Sequence, residues 1–264
     1  LNVVAKKDVL LFLPYHSFSF IIRFLREAAI DPNVRTIKIS LYRLAKDSRI
    51  ISALINAAKN GKDVTVVVEL QARFDEENNI KWTNRLRADG VKVIHGVPGL
   101  KVHCKTCLIT RVENGKAKDF AILGTGNFHE GTAKLYTDYH LLTSDKRLTK
   151  EVSNVFEFFR ANYLQFNYEH LIVSPHHTRN RLVALIDAEI ENAKKGRPSG
   201  IILKMNSLSD LAMIDKLYEA NRYGVKIKLI IRGICSLIPQ VPGLSENIAA
   251  ISICLLYTSP SPRD

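Results

Sequence analysis

At 264 residues, 46% of them hydrophobic, the chain can build two domains of about 130 residues or one large α/β unit, with a sizeable core in either case. Its 38 Lys+Arg against 26 Asp+Glu leave a net charge of +12, which favours a polyanionic partner such as a nucleotide, a phosphate polymer, nucleic acid or anionic lipid. Four cysteines (Cys104, Cys107, Cys235, Cys254) do not make a secreted disulfide framework, and no signal segment or long apolar run is visible. A cytoplasmic setting is expected, with peripheral membrane contact left open by the charge. The chain opens on Leu1 in what reads as the middle of a pattern, so a fragment is expected.

In chain order, "SFSFIIRFLREAAI" (17–30) places apolar residues at helical spacing behind a serine, and Asp31-Pro32 ends it. "RTIKISLY" (35–42) alternates as a strand, "SRIISALINAAKNG" (48–61) is helical with a terminal glycine, and "DVTVVVEL" (63–70) is a continuous apolar strand. This β-α-β unit implies parallel strands covered on both faces. A helix over 76–90 and a strand over 91–95 follow. The short "GVPGL" link then implies a hairpin into a strand over 101–110, and "VENGKAK" turns the chain into a strand over 119–127.

Residues 178–253 restart the scheme. "SRIISALINAAKNGKDVTVVVEL" (48–70) lines up with "DLAMIDKLYEANRYGVKIKLIIR" (210–232), Gly61 matching Gly224, and two copies of one α/β unit make a pair with room for a site between them. The final "CLLYTSPSPRD" breaks with what precedes it and reads as foreign, adaptor-like sequence. The expected division is a first domain over 1–170, an incomplete second one over 171–253 and this tail over 254–264.

The stretch "GLKVHCKTCLIT" (99–110) holds Cys-x-x-Cys and His-x-Lys together. In a strand, i and i+2 share a face while i and i+3 point apart. His103 and Lys105 then project together and the two sulfurs diverge, which argues against a zinc or dithiol site. The parallel strands end at Leu41-Tyr42-Arg43, Gln71-Ala72-Arg73 and His95-Gly96, and ligands bind at such carboxyl edges. Strand 101–110 runs backwards, so its start reaches the same rim, as does the turn Gly124-Thr125-Gly126-Asn127. Arginine forks, a lysine and a glycine-rich turn suit phosphate, and a neutral imidazole can store a phosphoryl group covalently. Each residue alone has an ordinary explanation: Arg43 and Arg73 as surface charges, the turn as a turn, Tyr136 as a core aromatic. His16, His95, His129, His140, His170, His176 and His177 lack comparable company.

H-x-K followed by G-T-G-N resembles the phospholipase D superfamily, although Thr110 stands where that pattern carries aspartate. "IKISLYRLAKDSRII", "PGLKVHCK", "GTGNFHEGTAKLYTDY" and "RGICSLIPQVPGLSENIAAISI" resemble more closely the polyphosphate kinase family with phospholipase D-like C-terminal domains, over residues 1 to 253. The resemblance implies an α/β fold of two phospholipase D-like repeats with mixed, mostly parallel sheets, the second incomplete. It further implies reversible transfer of the terminal phosphate between ATP or ADP and inorganic polyphosphate, through a phosphohistidine at His103 assisted by Lys105.

By the same resemblance Arg43 and Arg73 flank a magnesium-phosphate site, although guanidinium has no lone pair for Mg²⁺, so phosphate oxygens and water would hold the metal. Nucleotide contacts fall on Tyr136 and Arg232, with Asn127 of the turn beside them. Arg232 also occupies in the second repeat the place of Glu69 in the first. The family's second catalytic histidine would fall on Pro260, within the foreign tail, so the 264 residues alone are expected to be inactive. The parent enzyme is expected to form homo-oligomers and to bind no specific nucleic acid. Two rivals stay open: a phospholipase D-like phosphodiesterase, and a non-enzymatic polyanion-binding module.

Overall fold

Alternating apolar runs become two separate sheets in the computed structural model, which describes residues 1–42, 45, 47–69 and 76–252, with residues 76–78 in backbone only. Contacts divide the chain into Leu1–Leu171 and the residues from Ile172 on. The first unit runs β1 (Val9–Leu13), α1 (Ser19–Ile30), β2 (Val34–Leu41), α2 (Arg49–Lys59), β3 (Asp63–Val68), α3 (Glu76–Ala88), β4 (Lys92–His95), β5 (Lys105–Glu113), β6 (Lys116–Gly124), β7 (Asp138–Thr143) and α4 (Lys146–Arg160). Its sheet order is β1-β7-β6-β5-β2-β3-β4.

The sheet is mixed, as expected, but "mostly parallel" needs correction here. Only β2-β3-β4 pair in parallel, and the other four contacts are antiparallel. One cause is local: Asn114 and Gly115, at φ 50 and 73, form a two-residue turn between the paired Glu113 and Lys116, and so tight a link can join only antiparallel strands.

The expected hairpin between β4 and the strand after it is also corrected. β5 runs antiparallel to the parallel strands but pairs with β2 and β6, leaving β4 at the edge. Thr106–Ile109 are all buried, and a strand buried on both faces belongs in the middle of a sheet. "GVPGL" closes on itself through a single Val97–Leu100 bridge, and residues 101–104 lead to β5 without strand structure.

Strand alternation builds the core in two layers. On one face Ile21, Ile22 and Leu25 of α1 and Ile50, Ile51 and Leu54 of α2 pack with Ile37, Ile39, Val64, Val66, Ile109 and Phe120. On the other, Val152 and Phe156 of α4 cover Val67, Leu108 and Ala121. Helix α1 lacks the expected serine cap in the strict sense: Phe18 holds the cap position, and the Ser17 hydroxyl accepts the Ser19 N–H at 3.2 Å.

In the second unit α5 (Thr178–Lys194) precedes β8 (Gly200–Met205), α6 (Leu211–Arg222), β9 (Lys226–Ile231) and β10 (Ile248–Ser252), with parallel order β10-β9-β8. The repeat holds in detail. Ser48 and Asp210 cap α2 and α6 by accepting the N–H of Ile51 and Met213, and Gly61 and Gly224 end them at φ 75 and 83. Leu41 pairs with Val68 as Met205 pairs with Ile231. Among the described residues this sheet has no counterpart of β5, β6 or β7, and residues 253–264 lie outside the description.

Candidate active site

The carboxyl ends of β2 and β3 and the start of β5 form the rim that carries His103. Because 101–104 are not strand, alternation does not orient His103; the surrounding contacts do. Its ring meets the Tyr42 ring edge-on at 4.8 Å between centroids. The Lys105 ammonium lies 5.1 Å from the centre of the same Tyr42 ring and donates to the His103 carbonyl. His103 is exposed and Lys105 is buried, and both side chains contact the Tyr42 ring.

Three side chains fasten the backbone around His103. The Ser40 hydroxyl accepts the Thr106 N–H at 3.0 Å and donates to the Cys104 carbonyl at 2.9 Å. The buried Glu69 carboxylate accepts the Val102 N–H at 2.8 Å. The third is Lys105. Asn79 of α3, fully buried, donates its amide to the carbonyls of Tyr42 and Glu69 and ties two strand ends together. A cleft of 560 Å³ lies beside this rim, lined by Glu69, His95 and residues 96–101. His95 contacts Arg87 at 2.5 Å, and burial together with that guanidinium lowers its pKa.

Pairing of Lys105 with Gly124 brings the G-T-G-N turn to the rim, as expected. Its glycines have a further physical reason. A Cβ on Gly124 would stand 2.3 Å from Nδ1 of His140, and one on Gly126 would stand 2.2 Å from Oδ2 of Asp138. Asp138 also accepts the Thr125 hydroxyl at 2.8 Å, and Thr125 accepts the Tyr139 N–H at 3.0 Å. The turn is therefore clamped by β7, a strand that periodicity did not reveal. Asp138 and His140 sit two apart in "TDYH", and that spacing on a strand was the available signal.

Of the other expected site residues, Asn127 is half-buried with its Oδ1 unpaired, and Tyr136 is half-buried just after a 3-10 turn, Thr132–Lys134. Arg232 is exposed at the end of β9 in the second unit, its Nε donating to Asn206 at 2.9 Å. Its N–H bonds Met205 as the Glu69 N–H bonds Leu41, so the two positions are equivalent. Arg43, Arg73 and Pro260 lie outside the described residues.

Cys104 is exposed, whereas Cys107 is in the core, where burial pushes its thiol pKa up. Thr110 is in mid-strand, its hydroxyl donating to Asp119 at 2.6 Å. No three His, Cys, Asp or Glu side chains among the described residues cluster to hold a metal ion, and no helix among them is long and apolar enough to cross a membrane.

A histidine, a buried lysine and a glycine-rich turn thus meet at one strand edge of this α/β unit, a set of cationic and N–H groups whose chemistry suits an anion. Residues 1–165 match the family model of polyphosphate kinase C-terminal domain 1, and residues 171–258 that of polyphosphate kinase C-terminal domain 2. The polyphosphate kinase of Escherichia coli K12 is 54% identical over 97% of this chain and 37% of its own length. That of Yersinia pestis is 53% identical over 96% and 37%. The crystal structure of Porphyromonas gingivalis polyphosphate kinase is 41% identical, with a TM-score of 0.87, over 97% of this chain and 42% of that one. The chain belongs to the polyphosphate kinase family, and it spans about 37% of the length of the curated relatives it matches.

Proposed function

We propose that this chain carries the phosphoryl-accepting histidine of a polyphosphate kinase. An imidazole nitrogen of His103 attacks the terminal phosphorus of ATP, the bond to the bridging oxygen breaks, and ADP leaves. The terminal oxygen of a polyphosphate chain then attacks the same phosphorus and the N–P bond breaks, lengthening the polymer by one phosphate. The observation that carries this reading is the exposed His103 imidazole on a fastened backbone, set against a Tyr42 ring that the Lys105 ammonium also contacts, in a chain of this family.

Lys105 is buried beside Tyr42, and its charge acts on the incoming phosphate. Asn127 and Tyr136 supply nucleotide contacts near the turn, and Arg43, Arg73 and Arg232 supply further cations. Magnesium enters as the counter-ion of the phosphates, held by their oxygens and by water, since the described rim residues offer no cluster of anionic oxygens to fit a resident ion. Polyphosphate synthesis is assigned to the full-length protein, and the 264 residues alone are proposed not to sustain it, because Pro260 stands where the family's second histidine falls.

The test is ATP-dependent polyphosphate synthesis by the full-length protein and its His103→Ala variant. The expected drop is about 10³-fold or more, with nucleotide affinity kept within a few-fold. Activity retained in the variant, or robust synthesis by these 264 residues alone, contradicts the reading.

A further inference from the structure

The segment that delivers His103 is short of backbone support. Between the Val97–Leu100 bridge and the start of β5 at Lys105 no ladder holds the chain, although the Val102 side chain is buried in the α4-side core. A backbone N–H carried inward in this way needs a partner, and Glu69 provides it at 2.8 Å. Glu69 is itself only 6% exposed, and a carboxylate so placed is costly unless it is hydrogen-bonded.

The internal repeat serves as a control. The equivalent position after β9 is Arg232, with the same backbone bond to the neighbouring strand, so the fold does not demand an acid there. What the first unit has, and the described second unit lacks, is a β5 preceded by a histidine-bearing segment. Asn79 holds the Glu69 carbonyl, so the anchor is itself anchored to α3.

We propose that Glu69 is a positioning residue that sets the His103 imidazole for phosphoryl transfer through the Val102 N–H, an inference that rests on the phosphohistidine reading. In this proposal the carboxylate acts through the Val102 N–H and not on the reacting atoms themselves. It fixes the backbone one residue ahead of the nucleophile, where a displacement of about 1 Å slows transfer by about a hundredfold.

Three variants of the full-length protein test this: Glu69→Gln, which keeps an acceptor of the same reach; Glu69→Asp, which keeps the charge but withdraws it by one methylene; and Glu69→Ala. Single-turnover labelling from γ-labelled ATP is measured together with nucleotide affinity and hydrogen exchange at the Val102 amide. Glu69→Gln is expected to label within about threefold of wild type, while Glu69→Asp and Glu69→Ala label about 10- to 100-fold more slowly at unchanged affinity. Their Val102 amides are expected to exchange at least about tenfold faster. Wild-type labelling in Glu69→Asp, or a Gln variant as slow as the Asp variant, overturns the proposal. Should Glu69→Ala fail to fold, the Gln and Asp pair decides alone. Should wild type take no label, the phosphohistidine reading falls, and Val102 exchange still decides whether Glu69 anchors the segment.

Discussion

His140 is fully buried on β7 between Phe18, Phe128 and the backbone of Gly124, and neither ring nitrogen has a hydrogen-bond partner. Burial lowers its pKa to about 4, against a smaller opposing pull from Asp138. The unfolded chain therefore binds a proton near pH 6.5 that the folded chain does not take up until about pH 4. Its contribution to stability is complete above pH 6.5 and is lost as pH falls toward 4, by about 3 kcal/mol at most. Urea denaturation at stepped pH is expected to show this slope in wild type and its absence in His140→Phe. The same ring makes Gly124 irreplaceable: Gly124→Ala has no room for its methyl and is expected to lose about 1–3 kcal/mol in the same assay at pH 7.

Glu151 does comparable work between elements. From α4 its carboxylate accepts the N–H groups of Glu169, His170 and Leu171 and meets the His170 ring at 3.2 Å, closing the end of the first unit onto the helix. Burial alone would raise its pKa, but these donors outweigh burial and the net shift is downward. Glu151→Ala is expected to cost about 2–4 kcal/mol, and limited proteolysis should cut within residues 165–175 well before wild type is nicked.

Elements with strong periodicity were legible in the sequence: α1, α2, β2 and β3 lie within a residue or two of where their apolar spacing puts them, and the Gly61–Gly224 repeat proved to be a geometric one. The β4–β5 hairpin was misread because a short Gly/Pro link carries no information about which strand comes next in the sheet. β1, β7 and α4 escaped notice since their apolar faces are partial: β1 has Leu10 exposed, and α4 mixes buried Thr149 and Glu151 with Val152 and Phe156. At the site, His103 and the turn were legible as chemistry. Tyr42, Glu69 and Asp138 were not, because their importance lies in contacts across 13 to 61 residues of chain that no local pattern encodes.

At the scale of the whole molecule, each unit has its own core: two layers in the first and a separate Ile/Leu cluster around Ile227 and Leu229 in the second. Residues 1–171 produced alone are therefore expected to fold, with a melting temperature within a few degrees of that of the same unit in the longer chain; a molten, non-cooperative product would contradict that division. On the proposed function, the net charge of +12 is expected to make polyphosphate binding strongly dependent on ionic strength, with affinity falling about tenfold or more between 50 and 200 mM salt. Covalent phosphorylation of His103 is the step on which the proposed function turns. Incubation of the full-length protein with γ-labelled ATP, followed by acid and base treatment of the washed protein, measures it directly. Acid-labile, base-stable label is expected in wild type and none in His103→Ala. Absence of label from wild type, or equal label in the variant, would contradict it.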